Sequence, residues 1–157
     1  ERYAPAIAKR IVQARETAPV QTTLELAELI RSAMPAAALR EKQHPAKRSF
    51  QAIRIEVNAE LTGLKEAIED IAGLLAPGGV LCVITFHSLE DRAVKEAMKR
   101  LENPCTCPPQ APICICGKVS QGRMIPRKPI EPSPQEVEAN PRARSAKLRV
   151  FHRAIQA

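Results

Sequence analysis

The sequence predicts an α/β fold, and two observations support that prediction. Residues 80–86 form an apolar, largely β-branched run that is broken only by Thr85 and follows the turn-forming Pro77-Gly78-Gly79. Such a run is typical of a buried strand. Helical patterns, with apolar residues three and four positions apart, stand on both sides of it. Because a strand that is apolar on both faces belongs in a parallel sheet covered by helices, we expect a parallel sheet here.

Composition narrows the classes of function. The chain has 157 residues, with 24 Lys and Arg against 17 acidic residues and a net charge of +7. This excess favours a polyanionic partner such as nucleic acid, and a solvated basic surface is the alternative. No apolar run approaches about 18 residues, so we expect no membrane span and a cytoplasmic, reducing setting. The opening Glu1-Arg-Tyr, without Met, suggests a chain that begins inside a longer protein.

Local signals divide the first part of the chain into helices. Ile7, Ile11 and Val12 share one face of a first helix, which Pro19 interrupts. Thr22-Thr-Leu-Glu25 is a capping box that opens a second helix, and Pro35 ends it.

The longest helical pattern follows His44-Pro45. We expect its apolar positions to form one continuous inward stripe, which Gly63 can divide into two helices. The stripe consists of Phe50, Ile53, Val57, Leu61, Leu64, Ile68, Ile71 and Leu75.

Three further elements follow the central strand. Ser88 is a candidate N-cap, with Asp91 at the box position, for a helix that ends near Asn103-Pro104. Ser133-Pro-Gln-Glu136 predicts the start of a short helix that stops at Asn140-Pro141. Residues 146–151 alternate as in a half-exposed strand.

Polar residues gather directly after the central strand. Ligands of open α/β sheets bind at the carboxyl ends of strands, so His87, Ser88, Glu90, Asp91 and Arg92 form a candidate site. His87 with Glu90 and Asp91 suits acid–base work, or equally the orientation of a loop or the binding of a base edge or ribose. Ser88 is more often a helix cap than a nucleophile, and no G-x-S-x-G turn surrounds it.

Two basic stretches are candidate contacts for an anionic ligand. Arg48, Gln51, Arg54 and Asn58 nearly share one face of the long helical pattern. Asn140-Pro-Arg142-Ala-Arg144-Ser is a basic turn whose arginines suit phosphate. In both places a solvated polar surface is the alternative.

Four cysteines form two CxC pairs, Cys105 with Cys107 and Cys114 with Cys116, in a Pro-rich segment. Four thiolates can close a tetrahedral zinc site, although paired ligands usually stand farther apart. Free thiols, or a disulfide in oxidised protein, are the alternatives. Cys82, within the strand, is expected to be a buried small apolar residue.

Several of these stretches, in order, resemble one family: the bacterial 16S ribosomal RNA cytosine-N4 methyltransferases (RsmH, also called MraW). The resemblance covers nearly the whole chain. It rests on His44-Pro-Ala-Lys-Arg-Ser-Phe-Gln-Ala-Ile-Arg-Ile-Glu-Val-Asn58, Leu75-Ala-Pro-Gly-Gly79, Phe86-His-Ser-Leu-Glu-Asp-Arg92 and Asn140-Pro-Arg-Ala-Arg-Ser145.

The resemblance implies only part of such an enzyme. Chains of that family are roughly twice as long, and their S-adenosylmethionine site lies in the amino-terminal half, so we expect no cofactor-binding residue here. The fold it implies is a partial class I, Rossmann-like methyltransferase sheet with a helical insert. Residues 1–45 would be the insert, and residues 46–157 the carboxyl-terminal half of the catalytic domain, with a Cys/Pro-rich loop at 103–130.

The resemblance also assigns a reaction and partners. His87, Ser88, Glu90 and Asp91 would line the pocket of a cytosine taken out of its stack, and 16S ribosomal RNA in the small ribosomal subunit would be the substrate. Arg92 would join these residues in lining the pocket or its rim. Phosphates would be held by Arg48, Arg54, Arg142 and Arg144, and further RNA contacts would come from Gln51, Asn58 and Asn140. The isolated chain is expected to be inactive and to self-associate through an exposed sheet edge. The alternative interpretation is a non-catalytic basic RNA-binding module, which zinc would stabilise if the cysteines bind metal.

Overall fold

The computed structural model describes residues 2–40, 43–108, 110 and 113–155. They belong to two compact units, Glu1–Glu60 and Leu61–Ala157. The expected boundary after residue 45 therefore falls inside the first unit. The first unit extends farther because Ala46 is buried with Ile7 and Ile30, and Phe50 packs against that cluster.

The first unit is helical in its described residues. The capping box predicted for its second helix is confirmed, since Glu25 N–H donates to Thr22 Oγ1 at 3.1 Å and Thr22 N–H donates to Glu25 Oε2 at 3.3 Å. The helices are α1 (Ala4–Thr17), α2 (Thr23–Ser32), α3 (Ala36–Leu39) and α4 (Lys47–Val57).

The long helical pattern divides where Gly63 predicted a break. Helix α4 ends at Val57, and α5 (Leu64–Leu74) begins after Gly63, whose φ of 73° is left-handed. The expected continuous inward stripe is wrong, because Ile53 and Val57 are exposed. The turn between the helices breaks the register on which a single apolar face depends.

The second unit combines helices with a three-stranded sheet in the order β1-β3-β2. Both pairings are antiparallel, so the parallel sheet expected around residues 80–86 is absent from the described residues. Its elements after α5 are β1 (Val80–Thr85), α6 (Ser88–Glu102), β2 (Gly122–Met124), α7 (Pro134–Ala139), a 3₁₀ turn (Pro141–Ser145) and β3 (Lys147–Arg153).

Strand β1 is buried on one face only. Leu81 and Val83 pack against the core, while Cys82 and Ile84 on the opposite face are exposed. The expected burial of Cys82 is therefore wrong: the described residues supply covering helices on one face of the sheet alone. Strand β3, predicted as half-exposed, is the central strand.

The core of the second unit lies between the sheet and two helices. Phe151 of β3 is fully buried, and Gly122 of β2 lies against its ring. A Cβ at Gly122 would collide with that ring and with the carbonyl oxygen of His152. The buried members of this core are Ile68, Ala72, Val94, Ala97, Met98, Leu101, Met124 and Phe151.

Two predicted helix boundaries of this unit are confirmed. Helix α6 ends at Glu102, before Asn103-Pro104, and α7 begins at Pro134 with Ser133 as its cap. Glu136 N–H donates to Ser133 Oγ at 3.1 Å. Among the described residues, no helix combines the length and apolarity that a membrane crossing requires.

Candidate functional site

The sheet register brings two sequence-distant stretches to one end of the second unit. Thr85, the last residue of β1, lies opposite Lys147, the first residue of β3, and its hydroxyl donates to the Lys147 carbonyl at 3.4 Å. The 3₁₀ turn Pro141–Ser145 runs directly into β3. The exit of β1, the start of α6 and this basic turn therefore share one end of the sheet, which we call the polar end (residues 85–92 and 140–147).

His87, and not Ser88, caps α6. Its Nδ1 accepts the backbone N–H of Glu90 at 3.2 Å. Glu90 Oε2 in turn accepts the backbone N–H groups of His87 at 3.2 Å and Phe86 at 3.0 Å. This is a capping box shifted by one residue from the predicted one, and it uses an imidazole where a hydroxyl was expected.

The capping box determines the tautomer of His87. A ring nitrogen that accepts a hydrogen bond carries no proton, so the neutral imidazole holds its proton on Nε2. That atom lies 3.2 Å from Glu90 Oε1, and the His87 side chain is largely buried. The polar atoms of His87 and Glu90 thus stabilise the start of α6, which fixes the direction in which the polar end presents its side chains.

Asp91 forms an ion pair with Arg149 of β3. Arg149 Nε donates to Asp91 Oδ1 at 2.7 Å and its terminal nitrogen donates to Oδ2 at 2.9 Å, a two-pronged geometry in which both side chains are nearly buried. The hydrogen bonds from Arg149 hold the pKa of the Asp91 carboxyl below its usual range. Because both oxygens of Asp91 accept hydrogen bonds from Arg149, this geometry favours a positioning role for Asp91 over proton transfer.

Arg149 is a residue that the sequence analysis missed. It lies on the β3 face that also carries Phe151 and turns toward the core, although an arginine in that register would ordinarily face water. A cation on the apolar face of an alternating strand is the signal that could have revealed it, since such a group needs an acidic partner.

The remaining exposed side chains at the polar end are mixed: three are arginines, and Phe86 and Leu89 are apolar. Ser88 and Arg92 stand four residues apart on α6, and Arg142 and Arg144 project from the 3₁₀ turn. Asn140 holds that turn, since its Oδ1 accepts the backbone N–H of Arg142 at 3.2 Å. The end of the sheet therefore offers cations and a hydroxyl on a rigid frame, which suits an anionic ligand.

The other predicted contact residues lie in the first unit on and just after α4. Arg48 and Asn58 are exposed and Gln51 is half-buried. Arg54 is bound by Glu60, with Nε 2.8 Å from Oε1 and a terminal nitrogen 2.9 Å from Oε2. Asn58 Nδ2 also donates to Glu60, at 3.1 Å. Glu60 thus offsets the charge of Arg54, so Arg48 presents the stronger positive charge on this helix.

The four paired cysteines come together beyond the other end of α6. Their sulfur atoms all lie within 4.8 Å of one another. The backbone N–H of Cys116 lowers the pKa of Cys114, but hydrogen bonds from the thiols of Cys116, Cys105 and Cys107 outweigh it and raise that pKa to about 12. Backbone N–H groups of Lys118 and Thr106 lower the pKa of Cys116 to about 6.

That this chain supplies no cofactor-binding residue stays a prediction, and the described residues can be compared only with the turn that binds a dinucleotide cofactor. Such a cofactor needs a glycine turn that follows a strand and opens a helix. The left-handed glycines are Gly63, Gly78 and Gly117, and Gly78 precedes β1 instead of following it. Within the described ranges, the polar end thus lacks the phosphate- or ribose-binding loop of a dinucleotide fold.

The described residues of the second unit thus form an α/β unit with exposed arginines at one end of its sheet. The comparison of sequences is more specific. The profile of the MraW methylase family matches residues 1–154, and the chain belongs to that family.

Curated relatives agree with this assignment. The chain is 53% identical over 153 residues to "Ribosomal RNA small subunit methyltransferase H 2" of Agathobacter rectalis, covering 98% of this chain and 49% of the relative. It is 55% identical to "Ribosomal RNA small subunit methyltransferase H" of Paenibacillus sp. and 59% identical to the protein so named in Clostridium botulinum, each over 150 residues, 96% of this chain and 48% of the relative. The chain spans about half the length of these relatives.

Proposed function

We propose that this chain is the RNA-facing, carboxyl-terminal part of a cytoplasmic S-adenosylmethionine-dependent methyltransferase. Its substrate is the N4 amine of a cytosine in 16S ribosomal RNA. The family match and the names of the relatives support ribosomal RNA of the small subunit as the class of substrate. The cytosine, the amine and the cofactor are part of the proposal. So is the completion of the three strands into a class I, Rossmann-like sheet.

One observation carries the proposal: the register that joins the exit of β1 to the basic turn before β3. A base brought to this end would meet Ser88, and the exposed Arg92, Arg142 and Arg144 would contact its flanking phosphates. His87, Glu90 and Asp91 position these groups through the capping box and the Arg149 ion pair. Asn140 holds the turn, and Arg48, Gln51, Arg54 and Asn58 supply further RNA contacts from the first unit.

The cofactor is assigned to a part of the protein outside this chain. No glycine turn suited to it occurs in the described residues, so no step of the reaction is assigned to these residues through the cofactor. What this chain contributes is the binding and orientation of the target nucleotide, which matters because transfer to a weakly nucleophilic amine depends on alignment.

A second candidate is a binding module without chemistry of its own. The commitment of His87, Glu90 and Asp91 to structural hydrogen bonds favours it, since those groups then have no spare role in proton transfer. The two candidates share the same RNA surface, so they differ only in whether substitutions at the polar end change methyl transfer beyond their effect on RNA affinity.

RNA binding is tested first, with a small-subunit decoding-region RNA and fluorescence anisotropy at several salt concentrations. The double variant Arg142→Ala/Arg144→Ala should bind more weakly and lower the slope of log affinity against log salt by about 0.7–0.9 for each phosphate that the protein no longer binds. The matched control is Lys99→Ala/Arg100→Ala, which removes the same charge near the far end of α6, about 17–18 Å along the helix from Ser88. Equal weakening of RNA binding in both variants would contradict the placement of the RNA at the polar end.

The proposed contribution to methyl transfer is tested in a longer fusion protein, whose amino-terminal half is taken from the Paenibacillus relative. Transfer of label from S-adenosylmethionine to small ribosomal subunits is the readout. His87→Asn keeps a side chain that caps helices well, so the protein should fold. Because His87 acts through the cap, His87→Asn should keep methyl transfer, whereas Ser88→Ala should lower methyl transfer while RNA affinity stays. Full activity in His87→Asn and in Ser88→Ala would instead favour the binding-module interpretation for this chain.

A further inference from the structure

The segment that joins α6 to β2 leaves the core and returns to it at one point. Gln121 N–H donates to the Leu101 carbonyl at 2.9 Å, which closes the base of the excursion. The described residues between them contain no strand and, beyond Glu102, no helix. Ile113, Ile115 and Val119 are strongly exposed. The described residues of the excursion thus form no apolar core of their own, and small segments of this kind need a disulfide or a metal to hold one shape.

The four CxC cysteines lie in this segment, where a disulfide or a metal could hold its shape. Four sulfur–sulfur distances are 3.6 Å (Cys105 to Cys114), 3.8 Å (Cys107 to Cys114), 3.4 Å (Cys114 to Cys116) and 3.8 Å (Cys116 to Cys105). With metal–sulfur bonds of about 2.3 Å, the edges of a tetrahedral zinc–thiolate site are about 3.8 Å. The thiols are therefore already spaced as four ligands of one ion.

The backbone around the sulfurs also suits thiolate ligands. The N–H of Cys116 points to Cys114 Sγ, and the N–H groups of Lys118 and Thr106 point to Cys116 Sγ. The bond from Lys118 needs the chain to turn back directly after Cys116. Gly117 makes that turn with a φ of 63°, which side-chain-bearing residues rarely adopt. Such N–H donors stabilise charge on sulfur.

We propose that Cys105, Cys107, Cys114 and Cys116 bind one zinc ion. Each thiol releases its proton to solvent, four Zn–S bonds form, and no electron is transferred. Because all four positions of the tetrahedron are filled by protein, the site is structural and has no open position for catalysis. No disulfide joins any of these four cysteines in the described residues, and zinc binding needs all four as thiols.

The bound ion would act on the shape of the excursion. It would tie the residues just after α6 to those just before β2 and hold Ile113 and Ile115 on the outside, where they alternate with the ligands Cys114 and Cys116. This site lies beyond the far end of α6 from the polar end. It is independent of the proposed RNA chemistry, and either proposal can fail without the other.

The test uses the chain expressed with added zinc and purified under reducing conditions without chelator. We expect about one zinc per chain by elemental analysis. A thiol reagent should then find only Cys82 reactive among the five cysteines, and all five after unfolding with a chelator. Cys114→Ser, which removes the sulfur nearest to its neighbours, should lose the metal, whereas the matched control Cys82→Ser should retain it.

Cobalt titration of the unsubstituted chain keeps the test independent of the variants. Tetrahedral thiolate coordination gives Co²⁺ intense absorption that one equivalent saturates and that zinc displaces. A metal-free chain whose five thiols all react, with no such absorption, would overturn the proposal. So would equal metal loss in Cys82→Ser and Cys114→Ser. One equivalent of iron in place of zinc would overturn the choice of metal.

Discussion

Replacing Arg149 by Met tests how far the polar end depends on its buried ion pair. Methionine keeps most of the length and apolar stem of arginine but removes the guanidinium that binds both oxygens of Asp91 at 2.7 and 2.9 Å. The side chains of Arg149 and Asp91 are only 6% and 13% exposed. The substitution therefore leaves a carboxylate that water reaches poorly and that no longer has its main partner.

The expected cost is large for a domain of this size. Removing one partner of a buried pair costs about 3–5 kcal/mol. With a urea dependence of about 1.5 kcal/mol per molar, a loss of 3 kcal/mol lowers the unfolding midpoint by about 2 M. The control Arg100→Met breaks the exposed pair between Arg100 and Glu69, whose side chains are 69% and 36% exposed, and should cost at most about 1 kcal/mol.

The pH dependence of the same pair has a definite sign. The Arg149 hydrogen bonds lower the pKa of folded Asp91, so their stabilisation is present above the unfolded pKa of about 4 and is lost as pH falls through the folded value. The gap in unfolding free energy between the unsubstituted chain and Arg149→Met should therefore be full near pH 7 and shrink below about pH 4.

Urea unfolding followed by far-ultraviolet circular dichroism at pH 7 and pH 3.5 measures both effects. Hydrogen exchange of the α6 and β3 amides locates the loss of stability in the second unit. If Arg149→Met costs no more than Arg100→Met, or if the gap between the unsubstituted chain and Arg149→Met does not change with pH, the ion pair does not hold α6 on the sheet.

Two further predictions concern the sheet. Gly122→Ala should destabilise the chain by about 1–3 kcal/mol in the same assay, because its Cβ meets the His152 carbonyl and the Phe151 ring. The control Gly73→Ala, in an open helical site of α5, should be neutral or stabilising. Equal effects of the two substitutions would contradict the close packing at Gly122. The isolated chain should self-associate through the exposed β1, giving a light-scattering mass above 17.2 kDa that Ile84→Lys reduces, and should show no S-adenosylmethionine binding by calorimetry. A monomeric chain would contradict the predicted self-association. Micromolar binding of S-adenosylmethionine would contradict the second prediction.

Local sequence determined the boundaries of several elements. The caps at Thr22 and Ser133, the division at Gly63 and the end of α6 before Asn103-Pro104 all follow from residues within one helical turn of the boundary. Such signals act through hydrogen bonds and dihedral preferences between near neighbours, so they can be identified without knowledge of the fold. The predicted N-cap of α6 was wrong by one residue, because the imidazole of His87 forms the capping hydrogen bond that was expected of the Ser88 hydroxyl.

The tertiary structure decided what joins residues distant in the chain. An apolar run at residues 80–86 identifies a strand, but its partner, its direction and its covered face depend on β3, more than 60 residues later. Asp91 meets Arg149 across 58 positions, an ion pair that no local pattern around Asp91 indicates, and its role in the site stays a prediction. The cysteine spacing left zinc, free thiols and a disulfide open, and only the fold of the excursion brings the four sulfurs within 4.8 Å of one another. These outcomes depend on burial and register, which a linear pattern does not contain.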